Sequence, residues 1–272
     1  MRPKPRVLIT GASSGLGREM ARQLAERGWR IAITGRREAE LKATARQVES
    51  AGSECLALVG SVAELEAVRR HYATIRGQWA GLDWAILNAG VGDSTDARDL
   101  EAEDYHRIFA TNVGGVVNWL EVILPDMIEA GGGTIAGISS LAAWRGLPRA
   151  GAYSASKAAL ATLLESTRVD LRGTGVEVVT VCPGFIRNGS MSPSDEQGKP
   201  FLLDLEDGVR RILAGVERKR RIVHFPWQLS YFMRYVVRNM PPAFYDWVIS
   251  KVAGRDTGGG ASESLSRRPG RP

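Results

Sequence analysis

Residues 6–17 read RVLITGASSGLG: a short apolar run, a turn of glycines and serines, and then a segment with apolar residues at Leu16, Met20 and Leu24. The run from Arg6 to Thr10 is continuous rather than alternating, as in a strand buried on both faces, and the later apolar residues share one face of a helix. Between them, Gly11, Gly15 and Gly17 permit a tight turn, close approach of backbone to a phosphate, and close packing of helix on strand. The helix start presents unpaired N–H groups and a positive dipole end, which suit a pyrophosphate held by the turn at Ser13, Ser14 and Leu16. The spacing differs from G-x-G-x-x-G; a simple tight turn would also account for the glycines, but the strand before and the helix after favour a variant dinucleotide turn.

Outward from this stretch the same alternation continues. RIAIT (30–34), CLALV (55–59), WAILN (84–88), GTIAGIS (133–139), VEVVTVC (176–182) and RIVHF (221–225) are further strand candidates, separated by segments of helical period. Continuous apolar strands between helices predict a doubly wound parallel α/β sheet with helices on both faces. One domain is expected over residues 1–253. From Gly254 the chain turns to glycine, serine and arginine, and 254–272 reads as a disordered tail.

Composition narrows the function. The chain has 272 residues, 44% hydrophobic, enough for one large core. Its two cysteines, Cys55 and Cys182, lie far apart in apolar stretches, which predicts buried free thiols in a reducing cytoplasm. His71, His106 and His224 show no ligand spacing, so no metal is expected. The net charge of +6 raises nucleic acid as a partner, but the excess sits mainly near the ends and in RKRR (218–221), without interleaved aromatics, so none is expected. The first apolar run is too short for a signal peptide, and no stretch reaches the roughly 18 uncharged apolar residues of a spanning helix. A soluble, cytoplasmic protein is expected.

The end of the second strand bears on which nucleotide binds. A carboxylate there would bond the ribose hydroxyls of NAD, whereas arginine accommodates the extra phosphate of NADP. The sequence has Gly35 followed by Arg36 and Arg37, two guanidiniums able to make bidentate phosphate contacts, and NADP(H) is expected over NAD(H). The alternative, two solvated arginines opening a helix, is disfavoured by the helix dipole unless an anion arrives.

GAYSASK (151–157) puts Tyr153 and Lys157 one helical turn apart. With the glycine turn, NAG (Asn88, Ala89, Gly90), ISS ending in Ser140, and PG (Pro183, Gly184) in this order, the sequence resembles the short-chain dehydrogenase/reductase family over roughly residues 6–225. The resemblance implies a Rossmann-type fold and a tetrad of Asn112, Ser140, Tyr153 and Lys157. Tyr153 would be the acid/base and Ser140, thirteen residues earlier, would bond the carbonyl oxygen. A free phenol titrates near 10, and Lys157 would lower that value by its charge while holding the nicotinamide ribose. Asn112 would join a proton relay, although from the residues alone a polar group capping or kinking a helix explains it equally well. Further cofactor contacts are implied at Ser61, Val62 and Ile186.

Two positions depart from the family pattern. Gly60 stands where an aspartate often contacts adenine, leaving adenine to the Gly60 and Ser61 backbone and Val62. Asn188 stands where a threonine usually meets the cofactor amide.

A substrate pocket is expected from Ser140, Leu141, Trp144, Leu147 and Phe185, with residues 185–201 as a polar, mobile lid. Trp144 fits interface packing as well as a pocket wall. Residues 225–250 hold eight of the nineteen aromatics. Leu229, Phe232, Met233, Val236, Val237 and Met240 recur at helical spacing, which predicts one amphipathic helix that covers the pocket, forms a subunit interface or lies on a membrane surface. The expected activity is NADPH-dependent hydride transfer to a lipophilic ketone or aldehyde by a homodimer or homotetramer. The rivals are a non-catalytic NADP sensor on the same fold and a membrane-associated lipid or sterol reductase.

Overall fold

The computed structural model describes residues 4–187, 196 and 199–256. The seven apolar runs form seven strands: β1 (Arg6–Thr10), β2 (Arg30–Gly35), β3 (Cys55–Val59), β4 (Trp84–Leu87), β5 (Gly133–Ile138), β6 (Val176–Pro183) and β7 (Ile222–Phe225). They lie in the order β3-β2-β1-β4-β5-β6-β7, every pair parallel. Alternation along β1 shows why its apolar run is continuous: Val7 and Ile9 enter one core layer and Leu8 the other.

Helices α1 (Gly15–Ala25), α2 (Glu38–Ser50) and α7 (Leu205–Glu217) cover the first layer through Met20, Leu24, Leu41, Val48 and Ile212. Helices α3 (Leu65–Trp79), α5 (Gly115–Glu129) and α6 (Gly151–Asp170) cover the second through Ile75, Trp119, Ile123, Leu160 and Leu164. A short α4 (Ala102–Phe109) runs into α5 through a π-turn at Ala110–Gly114. Together they make a 28-residue helix, Ala102–Glu129, apolar enough by length and composition to cross a membrane. Trp119, Leu120, Ile123 and Met127, all buried, lay it against the sheet. The chain winds outward from β1 to β3 and then returns to β4 beside β1. This switch point opens a crevice at the carboxyl ends of the strands.

The carboxyl-terminal segment departs from expectation. In place of one amphipathic helix there is α8 (Trp227–Tyr231), a π-turn (Phe232–Val236), a 3-10 turn (Val237–Asn239) and then α9 (Pro242–Asp256). Each change of pitch rotates the apolar positions off a common face. Of the expected inward residues only Val237 is buried, while Phe232 and Val236 are exposed. Pro242 starts a new helix, where its missing N–H costs nothing. That helix includes residues 254–256, expected to belong to the tail, and 257–272 lie outside the described residues. Cys55 is half-buried rather than buried.

Candidate active site

A cleft of about 770 Å³ follows the switch point from the glycine turn to Tyr153 and Lys157. At its first end, Gly11 and Gly15 take left-handed φ values of +68° and +53°, which glycine adopts without strain. The Thr10 hydroxyl accepts from the Asn88 and Ala89 N–H groups, both at 2.9 Å, and the Asn88 amide donates to the Thr10 carbonyl at 2.8 Å. Asn88 thereby clamps the turn to β4. Gly17 does not line the cleft: a Cβ there would lie 2.5 Å from the Gly11 carbonyl oxygen, so its role is to let α1 pack on the turn.

The helix end is prepared for an anion. Ser14 makes no side-chain cap bond and the first turn of α1 holds no acidic residue. Arg37 instead donates to the Ser13 and Ser14 hydroxyls at 3.0 and 2.6 Å, and exposed Arg36 lines the same end. A positive helix terminus, two hydroxyls and two guanidiniums fit the phosphates of a dinucleotide.

The structure explains the first departure from the family pattern. A Cβ at Gly60 would stand 2.7 Å from the His71 ring, so that ring occupies the space an aspartate would need. His71 shares a 3.1 Å hydrogen bond with the Val59 carbonyl, and burial lowers its pKa. Ser61 and Val62 line the cleft, the Val62 carbonyl accepting from Asn118 at 2.9 Å.

At the other end α6 carries Tyr153 and Lys157. The ammonium is buried, donates to the Ile138 carbonyl at 2.8 Å and lies 5.7 Å from the Tyr153 ring centre. Desolvation lowers its pKa to about 8. Burial raises the Tyr153 phenol above its ordinary value, against a hydrogen bond with Ser140 that lowers it. This is opposite in direction to the expected effect of Lys157: desolvation dominates, and the ammonium sits beside the ring. Ser139 and Ser140 both line the cleft but divide in role. Ser139 Oγ donates to the Lys157 carbonyl at 2.8 Å, while Ser140 meets the phenol and accepts from Ala142 N–H at 3.1 Å.

Asn112 lies in the π-turn, fully buried and behind the cleft wall. Its oxygen accepts from Val91 N–H at 2.8 Å, and its amide donates to the Val91 carbonyl at 2.9 Å and Ser156 Oγ at 3.0 Å. It fixes the backbone of Val91, just after NAG, to the π-turn. A Cβ on Gly90 would come within 3.2 Å of both Asn112 Oδ1 and Lys157 Nζ, so glycine lets the two groups converge.

Pro183, Gly184 and Ile186 line the cleft. The expected substrate residues Leu141, Trp144, Leu147 and Phe185 do not. Leu141 is buried, and Trp144 packs within the chain, 6.0 Å from the His224 ring and 5.8 Å from the Arg234 guanidinium. Asn188 and most of the expected lid lie outside the described residues. Sequence reasoning missed Gly92, whose Cβ would stand 2.7 Å from the Tyr153 ring, and the polar wall of Asp93, Ser94, Thr111 and Arg149. The glycine two residues after NAG was the available signal for the first. Arg149, at φ +54°, carried no signal.

The fold and cleft define a dinucleotide-binding α/β protein with a Ser-Tyr-Lys cluster at its switch point, Lys157 buried beneath half-buried Ser140 and Tyr153. A family model described as short chain dehydrogenase matches residues 5–199, and the chain belongs to that family of oxidoreductases, which use a nicotinamide cofactor, NAD or NADP. It is 40% identical over 239 residues to an uncharacterized oxidoreductase of Myxococcus xanthus, covering 88% of this chain and 94% of the relative. A probable oxidoreductase, EphD, of Mycobacterium tuberculosis is 36% identical over 66% of this chain, which spans 31% of that relative's length. Among solved structures, a 3-ketoacyl-ACP reductase from Sinorhizobium meliloti superposes with a TM-score of 0.72 at 27% identity, over 81% of this chain and 97% of the other.

Proposed function

We propose that the protein is an NADPH-dependent reductase of ketones or aldehydes, running in reverse as an NADP-linked alcohol dehydrogenase. The observation that carries this reading is the convergence of Ser140, Tyr153 and Lys157 at one end of a cleft whose other end holds Arg36, Arg37 and the glycine turn. The turn and the α1 amino terminus would hold the pyrophosphate, the two arginines the additional phosphate, and Lys157 the nicotinamide ribose. The cofactor, when bound, supplies the hydride.

Within the chain, Tyr153 holds the proton that the reduced oxygen takes up, and the raised phenol pKa keeps it protonated until charge develops on that oxygen. Ser140 donates to the same oxygen and stabilises that charge. Lys157, its ammonium buried 5.7 Å from the Tyr153 ring centre, supplies positive charge that favours the tyrosinate left behind. Asn112 positions Val91 and, through Ser156, the first turn of α6. Gly92 gives the tyrosine ring its resting surface.

A lipophilic substrate body is carried over from the sequence, and Asp93, Ser94 and Arg149 on the cleft wall offer a place for a polar group on it. A likeness to a ketoacyl-ACP reductase fits carbonyl reduction. The test follows loss of reduced-nicotinamide absorbance with NADPH and NADH against aryl, alkyl, cyclic and keto-acyl carbonyl compounds, beside Tyr153→Phe. Turnover with NADPH that falls by at least about a thousandfold in the variant is expected. Tight NADPH binding with no turnover of any compound would favour the sensor, and equal use of NADH would remove the arginine reading.

A further inference from the structure

Half of the large hydrophobic side chains that stand exposed among the described residues fall between Trp227 and Trp247. The other seven are spread along the chain from Val59 to Phe201, and single exposed apolar residues are ordinary. Here they are mainly large aromatics: Trp227 is 69% exposed, Tyr231 60%, Tyr235 53% and Trp247 55%, joined by Phe232 and Phe244. Tyr231 lies against Tyr235 and Phe244 stacks on Trp247, with ring centres 4.8 and 5.9 Å apart.

These side chains are outward because the opposite side of the segment is fastened to the body. Ser230, fully buried, bonds His224 at 2.8 Å. Arg145 donates to the Arg238 carbonyl at 3.1 Å and lies over the Tyr245 ring, whose hydroxyl donates to the Gly146 carbonyl. Val237 is buried. The segment therefore has a fixed inner side and an aromatic outer side, and none of its residues lines the cleft.

The charges on the segment point to the occupant. Among residues 226–251 the cations are Arg234, Arg238 and Lys251, and Asp246 is the one acid. Lys251 lies 4.2 Å from the Trp247 ring centre and Arg234 5.5 Å from that of Tyr235, so cations border the rings. Two copies of such a face would oppose like charges. An anionic bilayer takes both features: phosphate headgroups meet exposed Arg238 and Lys251, while Arg234 faces inward on Trp144, and Trp and Tyr rings settle at the boundary between headgroups and acyl chains.

We propose that residues 227–251 form a foot that docks the protein on an anionic lipid surface. The foot rests on the segment after Ser140, through Arg145 and Gly146. The proposal depends on no step of the reaction.

The test is co-sedimentation of the full chain with vesicles of equimolar phosphatidylcholine and phosphatidylglycerol, and with phosphatidylcholine alone. Binding to the anionic vesicles, weakened by salt, is expected, with at least about a tenfold lower partition coefficient for the triple variant Trp227→Ser, Phe244→Ser, Trp247→Ser. A native chain that stays in the supernatant overturns the proposal. So does a native dimer that the triple variant splits while neither binds vesicles, because the face then belongs to a second copy. Should the triple variant fail to fold, Trp227→Phe with Trp247→Phe keeps the surface apolar. It is expected to bind as the native chain does but to lose fluorescence quenching by brominated lipids, and undiminished quenching overturns the proposal.

Discussion

The glycine turn and the carboxyl-terminal foot both set arginines beside unusual local composition, yet they are built on opposite terms. At the turn, residue types are dictated by space: Gly11 lies against Ala89, Gly17 against Gly11, and the Asn88 amide donates to the Thr10 carbonyl just before them. At the foot, six aromatic side chains touch little of the protein, and what is fixed is the backbone beneath them. The turn should therefore fail through packing when altered, and the foot should lose a partner while its fold survives.

The strongest way to break this contrast is Gly17→Ala. The added methyl would sit 2.5 Å from the Gly11 oxygen and 2.8 Å from the Ala12 Cα, backbone atoms that cannot swing aside. Alanine returns about 1 kcal/mol of helix propensity, and overpacking of this kind exceeds it. A net loss of about 2 kcal/mol is expected in denaturant unfolding, with weaker NADPH binding from the displaced turn. An unchanged midpoint would mean that the turn is looser than its contacts indicate.

Lys157 sharpens the comparison through pH. Its pKa falls from 10.5 to about 8 in the folded chain, so above pH 8 the folded protein releases a proton that the unfolded chain still holds. Stability contributed by this group rises with pH across that window. Lys157→Met lacks the rise. Read between pH 7 and 9, below the range where the buried Cys182 thiol titrates near 11, the native protein should gain about 1 kcal/mol on the variant. That is about 2–4 °C in melting temperature, measured without cofactor. Parallel curves would mean that the lysine keeps its proton through the ion's other contacts.

All seven strands could be read from continuous apolar runs, because a sheet covered on both faces leaves no alternation to misread. Tyr153, Lys157, Ser140 and the turn were legible for a related reason: a helical turn or a glycine spacing is a local relation. What escaped notice depends on distant contacts. His71 makes Gly60 necessary from eleven residues away, and the Tyr153 ring does the same for Gly92 across the cleft. The direction of the phenol's shift needed its burial, which spacing to Lys157 does not report. The helix expected through Met240 failed because a π-turn changes phase without any residue type that announces it.

The smallest expected effect is the one that best separates the two regions. Trp247→Ser removes a ring that is 55% exposed and touches Phe244 and Lys251, both on the same outer side. Little apolar area is returned to water, since most of it already faces water, and no buried polar group is left alone. A stability change below about 0.5 kcal/mol is expected by thermal melting, near the scatter of ordinary surface substitutions. A loss above about 2 kcal/mol would show that the ring is part of the fold, and the foot would then be core that happens to meet solvent. A near-neutral result leaves a large tryptophan kept at the surface with no return in stability, and the selective reason for it must lie in something the surface touches.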